Sequence, residues 1–163
     1  MKILGIDPGL SGGLAVHDPQ FNAFAIFPMP TLRLTRGGKN KSEIDAIELA
    51  RLIDAHGPIG RAFIESVGAM PGQGVSSVFA FGKGFGIVLG VLAANFVPLE
   101  LVAPAAWKRA IGIPSGSGKD ASRARASALL PHLAGHWSRS KDDGLAEAVL
   151  IALWGARKIG GAP

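Results

Sequence analysis

The chain has no cysteine in its 163 residues, so neither a disulfide framework nor thiolate metal or redox chemistry is available to it. Acids are scarce as well: 12 Asp+Glu face 17 Lys+Arg, a formal net charge of +5. The isoelectric point is near 10.0. With 48% hydrophobic residues, such a chain is expected to fold rather than remain disordered, and to meet a polyanionic partner. That partner is a nucleic acid or an anionic membrane surface. Long uninterrupted apolar runs are missing too. The N-terminus reaches Asp7-Pro8 before it attains signal-peptide length, and the most membrane-like stretch, residues 75–97, carries Lys83 and several glycines. We therefore expect no membrane span, no secretion and a cytoplasmic location. The length suits one domain, residues 1–163, large enough to bury a core.

Apolar periodicity sets the expected order of elements. Residues 2–7, 12–17 and 23–27 read as an antiparallel strand meander. Residues 28–41, with two prolines, Gly37-Gly38 and four bases, read as a loop. Ser42 is the expected N-cap of a helix that Gly57-Pro58 stops. A strand at 61–65, a glycine-rich loop at 68–74, a long helix at 76–95 and a strand at 97–102 follow. Pro104 opens a short helix carrying Trp107 and Lys108, a basic helix covers 119–133, and an apolar helix covers 141–158. This is an α/β layout on one mixed sheet.

Because acids are few, their positions are informative. Asp7 ends the apolar strand Ile3-Leu4-Gly5-Ile6, and Glu65 ends Ala62-Phe63-Ile64 in the same manner. Asp143 and Glu147 lie four apart where an apolar helix begins, so they share one side of it. A carboxylate at the edge of a buried strand is costly without a cation beside it. Acids converging at strand ends and a helix N-terminus would make an oxygen-rich pocket for Mg²⁺, and two such ions can drive phosphodiester hydrolysis. Taken singly, each acid is better explained as a strand terminus or as a partner of the helix dipole; the set together is not.

The stretch Leu4-Gly5-Ile6-Asp7-Pro8-Gly9-Leu10-Ser11-Gly12-Gly13 resembles the first motif of the RuvC family of Holliday-junction resolvases. Phe63-Ile64-Glu65-Ser66 resembles the second acidic motif, and Lys141-Asp142-Asp143-Gly144-Leu145-Ala146-Glu147-Ala148 the last. The three occur in order over residues 1 to 158. The resemblance implies an RNase H-like single domain, with a mixed five-stranded sheet flanked by helices. It implies a homodimer and a Mg²⁺-dependent endonuclease (two ions, with Mn²⁺ able to substitute) that cuts four-way DNA junctions. Asp7, Glu65, Asp143 and Glu147 become the expected catalytic metal ligands. Lys108 and Lys119 resemble lysines that the family places near the scissile phosphate. The last motif departs from the bacterial pattern of two Asp three apart, which leaves Asp142 and Asp143 as alternatives; the i, i+4 relation to Glu147 favours Asp143. The variation looks closer to phage-borne members, which implies a bacterial or phage-infected cell.

Two nearly acid-free regions suit a surface that tracks a phosphate backbone. One holds Arg33, Arg36, Lys39 and Lys41; the other includes Lys108, Arg109, Lys119, Arg123 and Arg125. A solvated helix face is the alternative for the second. Gly82, Gly86 and Gly90 fall at i, i+4 and i+8, a smooth helix face expected either at a dimer interface or against the chain's own core. Phe79, Phe81 and Phe85 are expected to pack there rather than stack on bases. Ser115-Gly116-Ser117-Gly118-Lys119-Asp120 fails as a phosphate loop, since Ile113 stands where glycine is needed and Asp120 where a hydroxyl should hold the metal. The four histidines lack metal-ligand spacing. Rival functions are a nuclease for other branched DNA or for RNA, a DNA-binding module without nuclease activity, and an actin- or sugar-kinase-like nucleotide binder, which needs two domains.

Overall fold

The computed structural model describes residues 1–68, 72–118 and 120–160, and for Arg36 and Lys39 the backbone alone. In chain order the elements are β1 (Lys2–Asp7), β2 (Gly13–Asp18), β3 (Ala23–Pro28), β4 (Thr31–Arg36), β5 (Lys39–Ile44), α1 (Ala46–His56), β6 (Ile59–Glu65), α2 (Val75–Ala94), β7 (Leu99–Val102), α3 (Pro104–Ala110), α4 (Ala121–Leu129) and α5 (Asp143–Gly160). Two 3₁₀ segments, Pro131–Trp137 and Ser140–Asp142, bridge α4 and α5.

The main sheet is mixed and five-stranded, in the order β3-β2-β1-β6-β7. β1 sits at its centre, antiparallel to β2 and parallel to β6, and Ile3 through Ile6 are all buried. A strand covered on both faces reads as a continuous apolar run rather than an alternation, which makes it recognisable in sequence. On one face Ile3, Ala15 and Phe63 pack with Trp107, Trp137 and the apolar side of α5. On the other, Leu4, Ile6, Leu14 and Ile64 pack with Leu49 and Ile53 of α1 and with Val88 and Leu92 of α2.

α5 lies unusually close to the sheet. A Cβ on Gly5 would strike the Ala148 carbonyl and the Ala152 amide, and one on Gly155 would strike the Phe63 ring. Glycine is needed at both places to let helix and strands meet. This close approach brings the first turn of α5 over the end of β1.

Residues 28–41 are not a loop. β4 and β5 form a two-stranded antiparallel ribbon separate from the main sheet, paired from Thr31↔Ile44 to Arg36↔Lys39. Gly37 and Gly38 both have positive φ, +57° and +73°, as a tight two-residue hairpin turn requires. The residue alternation Thr-Leu-Arg-Leu-Thr and the Gly-Gly step carry the hairpin signal, and the density of bases obscures it. Ser42 consequently lies in β5, and the cap of α1 is Asp45, whose side chain accepts from the amides of Ile47 and Glu48 at 3.1 and 3.0 Å. Such a cap contributes about 1 kcal/mol. The basic helix is also shorter than expected: it ends at Leu129 because Pro131 cannot continue it, and a 3₁₀ segment takes over.

Candidate active site

β1 and β6 run parallel in register Ile6↔Ile64, so Asp7 and Glu65 leave the same end of the sheet side by side. After Asp7 the chain turns tightly, with the Gly9 amide donating to Asp7 Oδ1 at 3.2 Å and the Gly12 amide to the Gly9 carbonyl at 2.9 Å. The N-terminus of α5 crosses this turn. A Cβ on Gly144 would lie 2.6 Å from Gly12 Cα and 2.8 Å from Asp7 Oδ2, so only glycine lets Asp143 and Glu147 approach Asp7.

The acids act on one another. Burial pushes the Asp7 carboxyl up to about 7; the Gly9 amide works against this, and the charges of Glu147, Glu65 and Asp143 add to it. Burial also raises Glu65, assisted by Glu147 and opposed by Trp107 and Lys108. Carboxylates held under this mutual strain are suited to a cation.

α3 supplies what restrains them. Trp107 is fully buried, and its Nε1 donates to Glu65 Oε1 at 3.0 Å. The next residue, Lys108, places Nζ 2.8 Å from Glu147 Oε1, which also accepts from Ser122 Oγ at 2.8 Å. Burial alone would depress the Lys108 ammonium, but Glu147, Glu65 and Asp7 together raise it above its ordinary value.

Asp142 and Asp143 differ sharply. Arg139 grips Asp142 with two bonds, Nε to Oδ2 at 2.8 Å and a terminal nitrogen to Oδ1 at 2.9 Å, and holds its carboxyl below the usual range. Asp143 Oδ1 accepts from the adjacent Gly144 amide at 3.0 Å, and its charge is felt at Asp7.

The four acids suit a hard divalent ion by their chemistry, carboxylate oxygens without sulfur or imidazole. Among the described residues, no three His, Asp or Glu side chains stand ready-placed to hold a metal ion. The cation among them is the ammonium of Lys108.

No protein-family model matches the chain, and no curated protein matches it. Solved structures do. The structure of Thermus thermophilus RuvC matches with a TM-score of 0.61 at 17% identity, over 99% of this chain and 98% of that one. T. thermophilus RuvC in complex with Holliday junction substrate gives 0.65 at 17% identity, over 99% and 96%. The yeast mitochondrial Holliday junction resolvase Ydc2 gives 0.55 at 13% identity, over 97% and 80%. The chain has the fold of RuvC.

On this RuvC-like fold, Asp143 and Glu147 border a cleft of about 870 Å³ that is also lined by Lys108, Arg109, Ser122 and the loop 114–118. Lys119 lies outside the described residues. The remaining bases of this region divide. Arg123 turns inward to Asp120 and to the carbonyls of Trp137 and Ser138, and Arg125 donates to the Ile111 carbonyl at 2.6 Å. These two brace α3 and the 3₁₀ segment and are not an open phosphate-binding face. Arg33 and Lys41 are exposed on the β4–β5 ribbon. Trp107 and Ser122 join the site without any forewarning in the sequence. Their hydrogen bonds span 42 and 25 residues of chain, and no local spacing announces them.

Proposed function

We propose that the chain is a metal-dependent, structure-selective endodeoxyribonuclease that resolves four-way DNA junctions by paired, symmetrical phosphodiester hydrolysis. The observation that carries this reading is the convergence of Asp7 and Glu65, at neighbouring strand ends, with the Asp143–Glu147 start of α5 laid against Asp7, on a RuvC-like sheet. Asp7, Glu65, Asp143 and Glu147 would hold Mg²⁺, two ions in this reading, with Mn²⁺ as a substitute. When bound, the metal supplies activation of the attacking water and neutralisation of charge at the leaving oxygen.

The chain's own groups do the positioning. Trp107 fixes one oxygen of Glu65, and Ser122 fixes one of Glu147. Lys108, paired with Glu147 on the cleft wall, would offset charge developing on the phosphate, a role that Lys119 would share. Lys108 and Arg109 on the cleft wall, with Arg33 and Lys41 on the ribbon, would supply the basic DNA-facing surface; the side chains of Arg36 and Lys39, expected to belong to it, lie outside the described residues.

Two symmetrical cuts call for two sites related by a two-fold axis, hence a homodimer. α2 offers the surface. Val75 and Phe79 are 86% and 75% exposed, and a Cβ built on Gly82, Gly86 or Gly90 would meet nothing within 4 Å. The glycine face is therefore not packed against the chain's own core.

The deciding experiment is cleavage of a labelled four-way junction, with linear duplex, fork and RNA controls, in Mg²⁺ and in EDTA. Paired nicks confined to the junction and lost in EDTA are the expected result. Equal cutting of linear duplex would remove junction selectivity, and preferential cutting of forks or RNA would favour a related nuclease.

A further inference from the structure

The ribbon β4–β5 leaves the molecule at the same end of the sheet as the acids. β3 ends at Pro28, paired with Gly13, which is itself paired with Asp7. The ribbon's feet are tied down there, with the Met29 amide donating to the Gly12 carbonyl at 3.0 Å and the Asp45 amide to the Pro30 carbonyl at 2.9 Å. At its root Glu43 is paired with Lys83 of α2. An element anchored in this way to the catalytic turn projects at a set angle from it.

Its two faces differ in chemistry. In an antiparallel pair, directly opposed residues share a face. Thr31, Arg33, Thr35, Asn40 and Ser42 thus lie on one face, all five exposed, with Arg33 opposite Ser42 and Thr35 opposite Asn40. Thr35 Oγ1 donates to Asn40 Oδ1 at 2.8 Å, which occupies the carboxamide's acceptor and leaves its NH₂ group to offer. The other face carries Leu32 and Leu34, both partly covered, the exposed Lys41, and at its root Glu43 opposite Leu32; Ile44, opposite Thr31, is the one buried member of the first face. No acid occurs between Asp18 and Glu43. The exposed face is therefore hydrogen-bonding, free of carboxylates and flanked by bases.

We infer that this ribbon enters the major groove of a duplex arm beside the cut site, with the Arg33–Thr35–Asn40–Ser42 face against base edges and Lys41 on the backbone. Dimensions agree. Six-residue strands reach about 20 Å, and a two-stranded ribbon fits a groove about 12 Å wide. A membrane surface would ask for apolar residues at the tip, where this ribbon has Thr35, Gly37, Gly38 and Asn40. The inference rests on the nuclease reading for the position of the arm, and the ribbon's own chemistry carries the choice of duplex DNA.

The test compares wild type with Arg33→Ala/Lys41→Ala and with Thr35→Ala/Asn40→Ala, all exposed positions where folding is not at stake. Binding is measured on junctions with long arms, on junctions with arms cut to a few base pairs, and on linear duplex. Arg33→Ala/Lys41→Ala is expected to weaken long-arm binding about tenfold and to lower the slope of log K against log salt by roughly 1, for the one phosphate that Lys41 no longer neutralises, the rest of the loss coming from the base-edge contact of Arg33. Short-arm junctions should bind both proteins alike. Thr35→Ala/Asn40→Ala should leave the salt slope unchanged and abolish protection of guanine N7 from methylation in the arm. If wild type cuts no junction but its duplex binding still falls in the ribbon variants, the nuclease reading fails and the ribbon inference stands. Unchanged affinity, salt slope and N7 protection in the variants would overturn the inference whatever the cleavage result.

Discussion

Trp107 Nε1 donates to Glu65 Oε1 at 3.0 Å, joining a fully buried indole on α3 to the acid that ends β6. Lys108, the next residue, takes Glu147 on α5. One turn of a seven-residue helix thus holds two carboxylates from two other elements. Trp107→Phe keeps an aromatic ring in the core and removes only the donor. Without that hydrogen bond, which lowers the Glu65 carboxyl, Glu65 ionises at higher pH. The variant is expected to cut about tenfold more slowly at neutral pH and to recover part of the loss at alkaline pH. A pH–rate profile parallel to that of wild type would mean that Trp107 serves packing alone.

Asp7→Asn should abolish cutting while stabilising the metal-free protein at high pH. The Asp7 carboxyl is raised from 3.8 to about 7 in the folded state. A raised acid costs nothing below the unfolded value, where both states are protonated, and costs most above the folded one. The variant's advantage in chelator should therefore be absent below pH 3.8, grow between there and about 7, and remain full at higher pH. At about 1.36 kcal/mol per unit, it amounts to at most about 4 kcal/mol. Calorimetric melting on either side of that window checks the sign: a variant melting below wild type at alkaline pH in chelator would show that Asp7 is not strained. Added Mg²⁺ should reverse the order by stabilising wild type more than the variant.

Asp142 and Asp143 make a paired test. Asp143→Asn removes a charge felt at Asp7, and cutting should fall by two orders of magnitude or more. Asp142→Asn breaks an ion pair with Arg139, and Asp142 is not among the charges felt at Asp7, so cutting should remain within a few-fold of wild type. Single-turnover rates on one labelled junction decide between them, and the reverse pattern would move the ligand to Asp142.

How much of the site is legible in the sequence follows from range along the chain. β1 and β6 show themselves as apolar runs closed by an acid, because a doubly covered strand has no polar face to conceal its ends. The i, i+4 relation of Asp143 and Glu147 is local geometry and can be read directly. Even the separation of Asp142 from Asp143 has a local source, since Arg139 stands three residues before Asp142. The ribbon reads as a loop because Arg33, Arg36, Lys39 and Lys41 suggest solvation, although they sit on strand positions. Trp107 against Glu65 depends on the way α3 folds back over β6, a relation no spacing encodes. Arg123 and Arg125 read as surface bases for the same reason: composition registers their charge but not the inward carbonyls they meet.

Gly86→Leu tests the two-fold assembly. α2 is long and apolar enough by length and composition to cross a membrane, and only 11% of that stretch is buried within the chain. An exposed apolar face of this kind calls for cover. Its centre is smooth, with Gly82, Gly86 and Gly90 open, while Val75 and Phe79 stand out at its start. Two copies crossing at the glycines would bring their backbones close, and each copy's Val75 and Phe79 could cover the other's helix. A leucine at position 86 faces open space in the single chain, so it should leave the fold and melting temperature of the monomer intact. In the dimer it would hold the helices apart. Sedimentation should therefore find wild type dimeric and Gly86→Leu monomeric, and the variant should lose paired nicking while retaining some single cuts. A Gly86→Leu protein that stays fully dimeric and cuts symmetrically would place the two-fold contact elsewhere.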